Sequence, residues 1–254
     1  MSGKYIPHQE IIFAAKTGFL SKDLWLKYFT ARSPSRNSRI WNRFLADGYF
    51  KKHESKMLPD VLVLDRAARE ELERRGANVV TSPHLSQFDH DEKAARIALA
   101  LQRTELIEDF TTEAELKRQH WLWLKSTKAG VEAKFPDLTL KLPVGAKFLK
   151  VAVEIEQSKK NFDRYKKVMS SYASSKDIDL VVFISNNQAI FNSISRAMKE
   201  VNYPTWERPV GFGKMNLWLK NPESASIYLS RSVTSICEIV ADVTSNTTSK
   251  SFAS

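Results

Sequence analysis

Apolar and polar positions recur with two different periods along this chain, and the change of period divides it. Up to about residue 103 the spacing is helical. Ile11, Ile12, Ala14 and Ala15 predict a first helix over 7–16, which Gly18 stops. Ser21 stands at an N-cap position ahead of Leu24, Trp25, Tyr28 and Phe29, which predicts a short second helix. Ser33-Pro34 is the clearest start signal. Serine can accept from free first-turn N–H groups, and proline at the first helical position has no N–H to lose. The third helix is expected to reach about Asp47 and end at Gly48, with Ile40, Trp41, Phe44 and Leu45 as its apolar stripe. Tyr49-Phe50, the basic Lys51-Lys52-His53, a turn near Pro59 and the apolar run 61–64 predict a hairpin. Helices are expected over 65–75, ended by Gly76, and over 84–103; 105–110 and 121–124 read as short strands or helix ends.

From Phe135 the period becomes two. Leu138, Leu140 and Leu142 alternate with Thr139 and Lys141, a strand entered at Asp137 and left through a turn at Pro143-Val144-Gly145. The strand 148–156 places Leu149, Val151, Val153 and Ile155 on one face and Lys150, Ala152, Glu154 and Glu156 on the other. A helix follows with Phe162, Tyr165, Met169 and Tyr172 on one side and Lys166 and Lys167 beside it. Next come a buried strand over 179–184, an amphipathic helix over 188–201 and a late strand at Leu217-Trp218-Leu219. Hairpin, helix, buried strand, helix is an α/β order with a mixed sheet.

The hairpin brings Asp137, Glu154 and Glu156 to one end. Like charges held together raise one another's pKa unless a cation offsets them, and hard oxygen donors suit Mg2+ or Mn2+. A metal beside a phosphodiester can polarise a phosphoryl oxygen and activate water. On its own, Glu-x-Glu is also what a solvated strand face shows. Pro136-Asp137, the apolar opposite face and the lysines that follow favour the site.

Charge sharpens this picture. The 254 residues hold 39 Lys and Arg against 29 Asp and Glu, a net charge of +10, with a pI near 9.6. Residues 1–60 are net +6 and 136–254 net +5, around a middle of −1. A domain this basic fits a polyanion partner. Arg36, Arg39 and Arg43 share the third helix's polar face, with Ser35 at its start and Lys51 and Lys52 on the hairpin. Together with the helix order they predict a winged helix-turn-helix that docks on double-stranded DNA; a solvated arginine face is the plainer alternative. One cysteine, Cys237, leaves no internal disulfide and no cysteine-rich zinc site, and His84 and His90 lack a third ligand at metal spacing. No apolar run is long enough for a membrane span and no secretion signal is evident, so a cytoplasmic location is expected.

Pro136-Asp137 followed seventeen positions later by Glu154-Ile155-Glu156 resembles the PD-(D/E)xK nuclease motif, with Glu156 where a lysine is usual, a variant seen in some restriction endonucleases. With the preceding winged helix, the chain to about residue 240 resembles the replication-relaxation family of plasmid and mobile-element proteins, closest to the MobC class of mobilization relaxases. The resemblance implies an α/β (α+β overall) architecture. A winged-helix domain would span 1–80, a helical connector 81–104 and a restriction-endonuclease-like mixed-sheet domain 105–243; the polar, serine-rich composition of 244–254 predicts a disordered tail. The resemblance implies a metal-dependent, strand-specific nick at a transfer origin during conjugation, with Asp137, Glu154 and Glu156 as the Mg2+- or Mn2+-binding acids. It also implies a coupling protein and relaxosome accessory proteins as partners. Lys159, Lys160 and Lys166 are candidates for the missing positive charge by nearness in sequence. Tyrosine relaxases use a His-rich metal site, which is not visible in the sequence; Tyr165 and Tyr172 read as packing residues, and water is the simpler nucleophile. Two other readings stay open: a non-catalytic plasmid replication or relaxosome accessory protein with an inert nuclease-like domain, and a double-strand endonuclease that would need two active sites.

Overall fold

Caps and breakers along the chain set where its elements begin and end. The computed structural model describes residues 7–30, 33–58, 60–119, 134–205 and 207–241. It divides into two units, Met1–Glu92 with Ala114–Ala129, and Lys93–Glu113 with Gly130–Ser254. The turn expected near Pro59, the segment around Trp121 and Trp123 and the tail from Thr244 include positions outside the described residues.

In the first unit, α1 (His8–Thr17) ends at Gly18, whose φ of +83° is left-handed and whose N–H bonds to Ala14 O. A Cβ there would also press on Val80 and the Ser82 backbone, so both conformation and space require glycine. β1 (Leu20–Ser21) leads into α2 (Lys22–Tyr28), capped by Ser21 Oγ accepting from Leu24 N. α3 (Pro34–Ala46) starts at Ser33-Pro34 as expected, but the Ser33 hydroxyl makes no capping bond. Extended Ser33 and the fixed proline φ set this start instead. β2 (Phe50–Lys52) and β3 (Val61–Leu64) join β1 in an antiparallel sheet ordered β1-β3-β2. The core of this unit is aromatic: Trp25 lies 5.3 Å from Trp41 and 5.5 Å from Phe44, ring centre to ring centre. Asn37, on the buried side of α3, accepts from Thr30 Oγ1 at 2.7 Å, which meets the cost of burying an amide. α4 (Arg66–Arg74) is capped by Asp65 and ends before Gly76, at φ +82°.

The helix expected over 84–103 begins as a tighter turn, Leu85–Gln87, before α5 (Phe88–Arg103). The second unit is built on a seven-stranded mixed sheet of order β10-β9-β8-β7-β6-β5-β4. β4 (Asp109–Thr112), β5 (Leu138–Val144) and β6 (Lys147–Ile155) are antiparallel neighbours. α6 (113–119) follows β4. β7 (Leu180–Ile184) runs parallel to β6, and β8 (Val210–Gly213) parallel to β7. The crossovers are α7 (Phe162–Ser174) and α8 (Gln188–Glu200), as parallel pairing demands. Both helices pack on one face of the sheet, with Tyr165, Met169, Tyr172, Ile190 and Ile194 buried against Ala152, Val181, Phe183 and Val210. β9 (Ile227–Tyr228) and β10 (Val233–Thr234) complete the far edge, and a helix α10 (236–241) follows.

Two expectations are corrected here. Leu217-Trp218-Leu219 is not a strand but lies in α9 (Met215–Lys220). Three consecutive apolar residues carry no period. Trp218 is fully buried against Gly213, where a Cβ would collide with the indole nitrogen. The turn after the first strand is also shorter than expected: Pro143 and Val144 remain in β5, paired with Phe148 and Lys147, and Gly145 turns the chain at φ +60°. Pro143 is tolerated because β4 pairs only as far as Lys141, so no neighbour asks for its missing N–H on that side.

Candidate functional site

β6 sits between β5 and β7, so its end is enclosed from both sides. Its even-numbered side chains face α7, as Ala152 does. That geometry buries Glu154, at 1% exposure, and Glu156, just past the strand, at 2%. The Glu156 N–H continues the ladder to Ile184 O at 2.8 Å. Asp137 stands one residue before β5, and its Oδ2 accepts from Ile155 N at 2.6 Å. The three acids thus gather at the strand ends, Asp137 and Glu154 bridged through the backbone between Glu154 and Glu156.

Each carboxylate has its own donor. Lys134 Nζ donates to Glu154 Oε2 at 2.9 Å and to Phe135 O at 2.6 Å. The Tyr172 hydroxyl, from the last turn of α7, donates to Glu154 Oε1. Lys160 Nζ donates to Glu156 Oε1 at 2.8 Å, while Glu156 Oε2 is buried with no hydrogen-bond partner among the described residues. The Lys160 N–H donates to Tyr165 OH at 3.1 Å and ties the 157–161 segment to α7.

Burial dominates the electrostatics. It pushes the Glu154 pKa up to about 7, helped by the Asp137 charge and opposed by Lys134 and Tyr172. Glu156 is raised for the same first reason, with Lys160 opposing. For Lys134 burial works against the charge, and Glu154 and Asp137 outweigh it, so its pKa lies above the ordinary lysine value. The Tyr172 hydroxyl is held neutral by burial and by Glu154.

These residues suit a hard cation in kind. All are oxygen donors, Asp137 acts electrostatically on both glutamates, and Glu156 Oε2 is a buried oxygen with no hydrogen-bond partner among the described residues. Among the described residues, no group of three or more His, Cys, Asp and Glu side chains is arranged to hold a metal ion. In place of shared chelation, Lys134, Lys160 and Tyr172 hold the glutamates separately.

Of the lysines singled out from sequence, Lys160 reaches the acids. Lys166 does not: it pairs with Asp163 at 2.8 Å and Glu200 at 3.8 Å on the surface. Lys159 is exposed and lines a cleft beside Lys160. Sequence reasoning missed Lys134 and the Tyr172 hydroxyl. The available signal for Lys134 was a basic residue three positions before Asp137; for Tyr172 it was a hydroxyl on a helix face turned toward the Glu154 side of the sheet. A groove of about 1040 Å³, with Lys134, Arg164, Lys166 and Lys167 on its walls, opens along α7.

In the first unit, Ser35, Arg36, Arg39 and Arg43 are exposed on α3, and Lys51 and Lys52 on β2. Arg43 pairs with Asp47 at 3.2 Å and Lys51 with Glu54 at 3.4 Å. Arg36, Arg39 and Lys52 have no acidic partner among the described residues. No helix among the described residues is long and apolar enough to cross a membrane.

No protein-family model matches the chain, and no curated protein matches it in sequence. Among solved structures it is similar to the restriction endonuclease FokI bound to DNA, at 11% identity and a TM-score of 0.26, over 87% of this chain and 46% of that one. The chain therefore spans less than half the length of that structure. A TM-score of this size does not define a shared fold.

Proposed function

We propose that the chain is a metal-dependent DNA endonuclease of the mobilization-relaxase kind, which nicks one strand of a plasmid transfer origin. The observation that carries this reading is the buried acid set at the end of β6: Asp137, Glu154 and Glu156, braced by Lys134 and Lys160. Buried acids this close are costly to fold around and call for a use. Asp137, Glu154 and Glu156 would hold Mg2+ or Mn2+, which when bound supplies polarisation of a phosphoryl oxygen and a more acidic water. Lys134 Nζ, with a proton to spare, would neutralise charge developing on a phosphate beside Glu154. Lys160 fixes the Glu156 rotamer. The first unit, with helices α1 to α3 followed by the β2–β3 hairpin and arginines exposed on α3, is read as a winged helix that reads duplex DNA through Arg36, Arg39 and Arg43. A coupling protein and accessory factors would complete the complex at the origin.

A second reading is favoured by one feature. Glu154 already has two donors, Lys134 and Tyr172, so this acid can be satisfied without a cation. A non-catalytic accessory DNA-binding protein would look like this. Supercoiled plasmid carrying the origin, incubated with Mg2+ or with Mn2+ beside Glu154→Ala, separates the two. Open circles from the parent protein and none from the variant support the nickase. Specific DNA binding with no conversion in either metal supports the accessory protein.

A further inference from the structure

Helix α7 begins between two basic depressions. One is the groove that holds Lys134. The other, of about 480 Å³, lies between the 159–162 segment and the exposed side of α8. Its walls carry Lys159, Lys160, Asn161, Phe162, Asn192 and Arg196, and no acidic residue among the described ones lines it. Lys160 is shared with the acid site: it lines this cleft, and its ammonium donates to Glu156 Oε1. The cleft therefore opens one side chain away from Glu156.

Its groups suit more than a free anion. The Arg196 guanidinium lies over the Phe162 ring at 4.1 Å, and its Nε donates to Glu200 at 3.2 Å. These two contacts hold the guanidinium flat, leaving its outer N–H groups for a phosphate and its plane beside an aromatic ring. Asn192 accepts from Gln188 through Oδ1 at 3.3 Å, which turns its amide N–H groups to another acceptor. Asn161 caps α7, so the first-turn N–H groups of a thirteen-residue helix add a favourable field for an anion at the cleft edge. Ammonium, guanidinium, amide and a ring in one small cleft are the groups that a nucleotide unit uses: phosphate on the cations, base edge on the amide, base face on the plane.

We infer that this cleft is a subsite for one nucleotide of an unpaired DNA strand, next to the phosphodiester presented to the acids. The volume lies within the roughly 300–1000 Å³ of small-ligand sites, enough for a nucleotide and far too little for a duplex. The inference deepens the nuclease reading and rests on it for the choice of DNA. It adds that the strand enters the site single, while the exposed arginines of α3 address duplex.

The test is binding in EDTA, so that cutting plays no part. Fluorescein-labelled single-stranded DNA, the same sequence as duplex, and the same sequence as RNA are titrated against the full chain. The variants are Arg196→Ala, Lys159→Ala and Arg36→Ala. The expected result is an about tenfold loss of single-strand affinity in Arg196→Ala and a smaller loss in Lys159→Ala, with duplex affinity kept. Arg36→Ala shows the reverse. Lys159 is exposed, so its variant keeps the fold and stands in should Arg196→Ala unfold. An iododeoxyuridine oligonucleotide irradiated on the parent protein should crosslink within the peptide that contains Phe162. Unchanged single-strand affinity in both cleft variants, equal losses for single strand and duplex, or tighter binding of RNA than of DNA would each overturn the inference. If no metal supports plasmid nicking and Arg196→Ala still loses single-strand affinity selectively, the nuclease reading fails and the subsite stands.

Discussion

Lys134 and Glu154 are twenty residues apart in sequence, and Lys134 Nζ donates to Glu154 Oε2 at 2.9 Å. The lysine is a quarter exposed and the glutamate is buried, so a solvent-reachable cation is tethered to a buried acid. Lys134→Met should therefore cost more in cleavage than in stability. Without the ammonium Glu154 escapes much of the burial penalty by taking a proton, which limits the unfolding cost. Loss of one positioned donor in an active site costs about 100- to 1000-fold in rate. Plasmid nicking by Lys134→Met should fall by that order, with Lys134→Arg recovering part of it. Nicking at the parental rate would remove Lys134 from the site.

Glu154 also sets a pH dependence. Its pKa rises on folding from 4.5 to about 7, so the folded chain holds a proton that the unfolded chain releases. The associated stability is fully present below about pH 4.5 and is lost as pH rises through 7. The swing is on the order of 3 kcal/mol for a fully buried group. Glu154→Gln has no such titration. The difference in unfolding free energy, parent minus variant, should fall between pH 5 and pH 8 in metal-free buffer. Adding Mn2+ at pH 8 should raise the melting temperature of the parent and not of the variant. A difference that stays flat with pH would mean that Glu154 is ionised throughout.

The acid set and the arginine face follow local rules, and so are legible in the sequence. Alternation around Glu154 and Glu156 marks a strand and its two faces; spacings of three and four put Arg36, Arg39 and Arg43 on one side of a helix; glycine marks the ends at Gly18 and Gly76. Lys134 and the Tyr172 hydroxyl are not legible in this way. Both reach Glu154 across the fold, one from the segment before β5 and one from α7, and no spacing rule links positions 134, 154 and 172. The sheet order depends likewise on which strands pair over long separations. Leu217-Trp218-Leu219 shows the opposite limit, a local pattern overridden by the packing of Trp218 on Gly213.

Tyr172 divides packing from chemistry. Its ring is buried among Ala152, Val181 and their neighbours, and its hydroxyl is spent on Glu154. Tyr172→Phe keeps the ring and leaves Glu154 Oε1 one donor short, which should cost about 1.5–3 kcal/mol at a pH where Glu154 is charged, and less at pH 5. The same change should shift the Glu154 titration to higher pH, because it removes a hydrogen bond to the charged form. A hydroxyl buried in this way cannot attack a phosphodiester without α7 moving. No covalent protein–DNA product should therefore survive denaturing electrophoresis of a nicking reaction. A covalent product lost in Tyr172→Phe would reverse this and make the tyrosine a nucleophile.

The face of α3 makes its own prediction, through salt. Arg36 and Arg39 are exposed without acidic partners among the described residues, whereas Arg43 is shared with Asp47 at 3.2 Å. On a duplex, each phosphate contact removed should lower the slope of log affinity against log salt by about 0.9. Arg36→Ala and Arg39→Ala should each do so by about one contact if they touch phosphate. If either reads a base edge, its loss instead costs about 1–3 kcal/mol on the cognate sequence alone and relaxes preference at one position. Arg43→Ala should cost less, because Asp47 already offsets its charge in the free protein. Stability should change within about 0.5 kcal/mol in all three, since the side chains lie outside the Trp25–Trp41–Phe44 core. Anisotropy titrations across a salt series, on origin and on scrambled duplex, measure both quantities at once. Parental slopes and affinities in the Arg36→Ala/Arg39→Ala double variant would reduce this face to a solvated one.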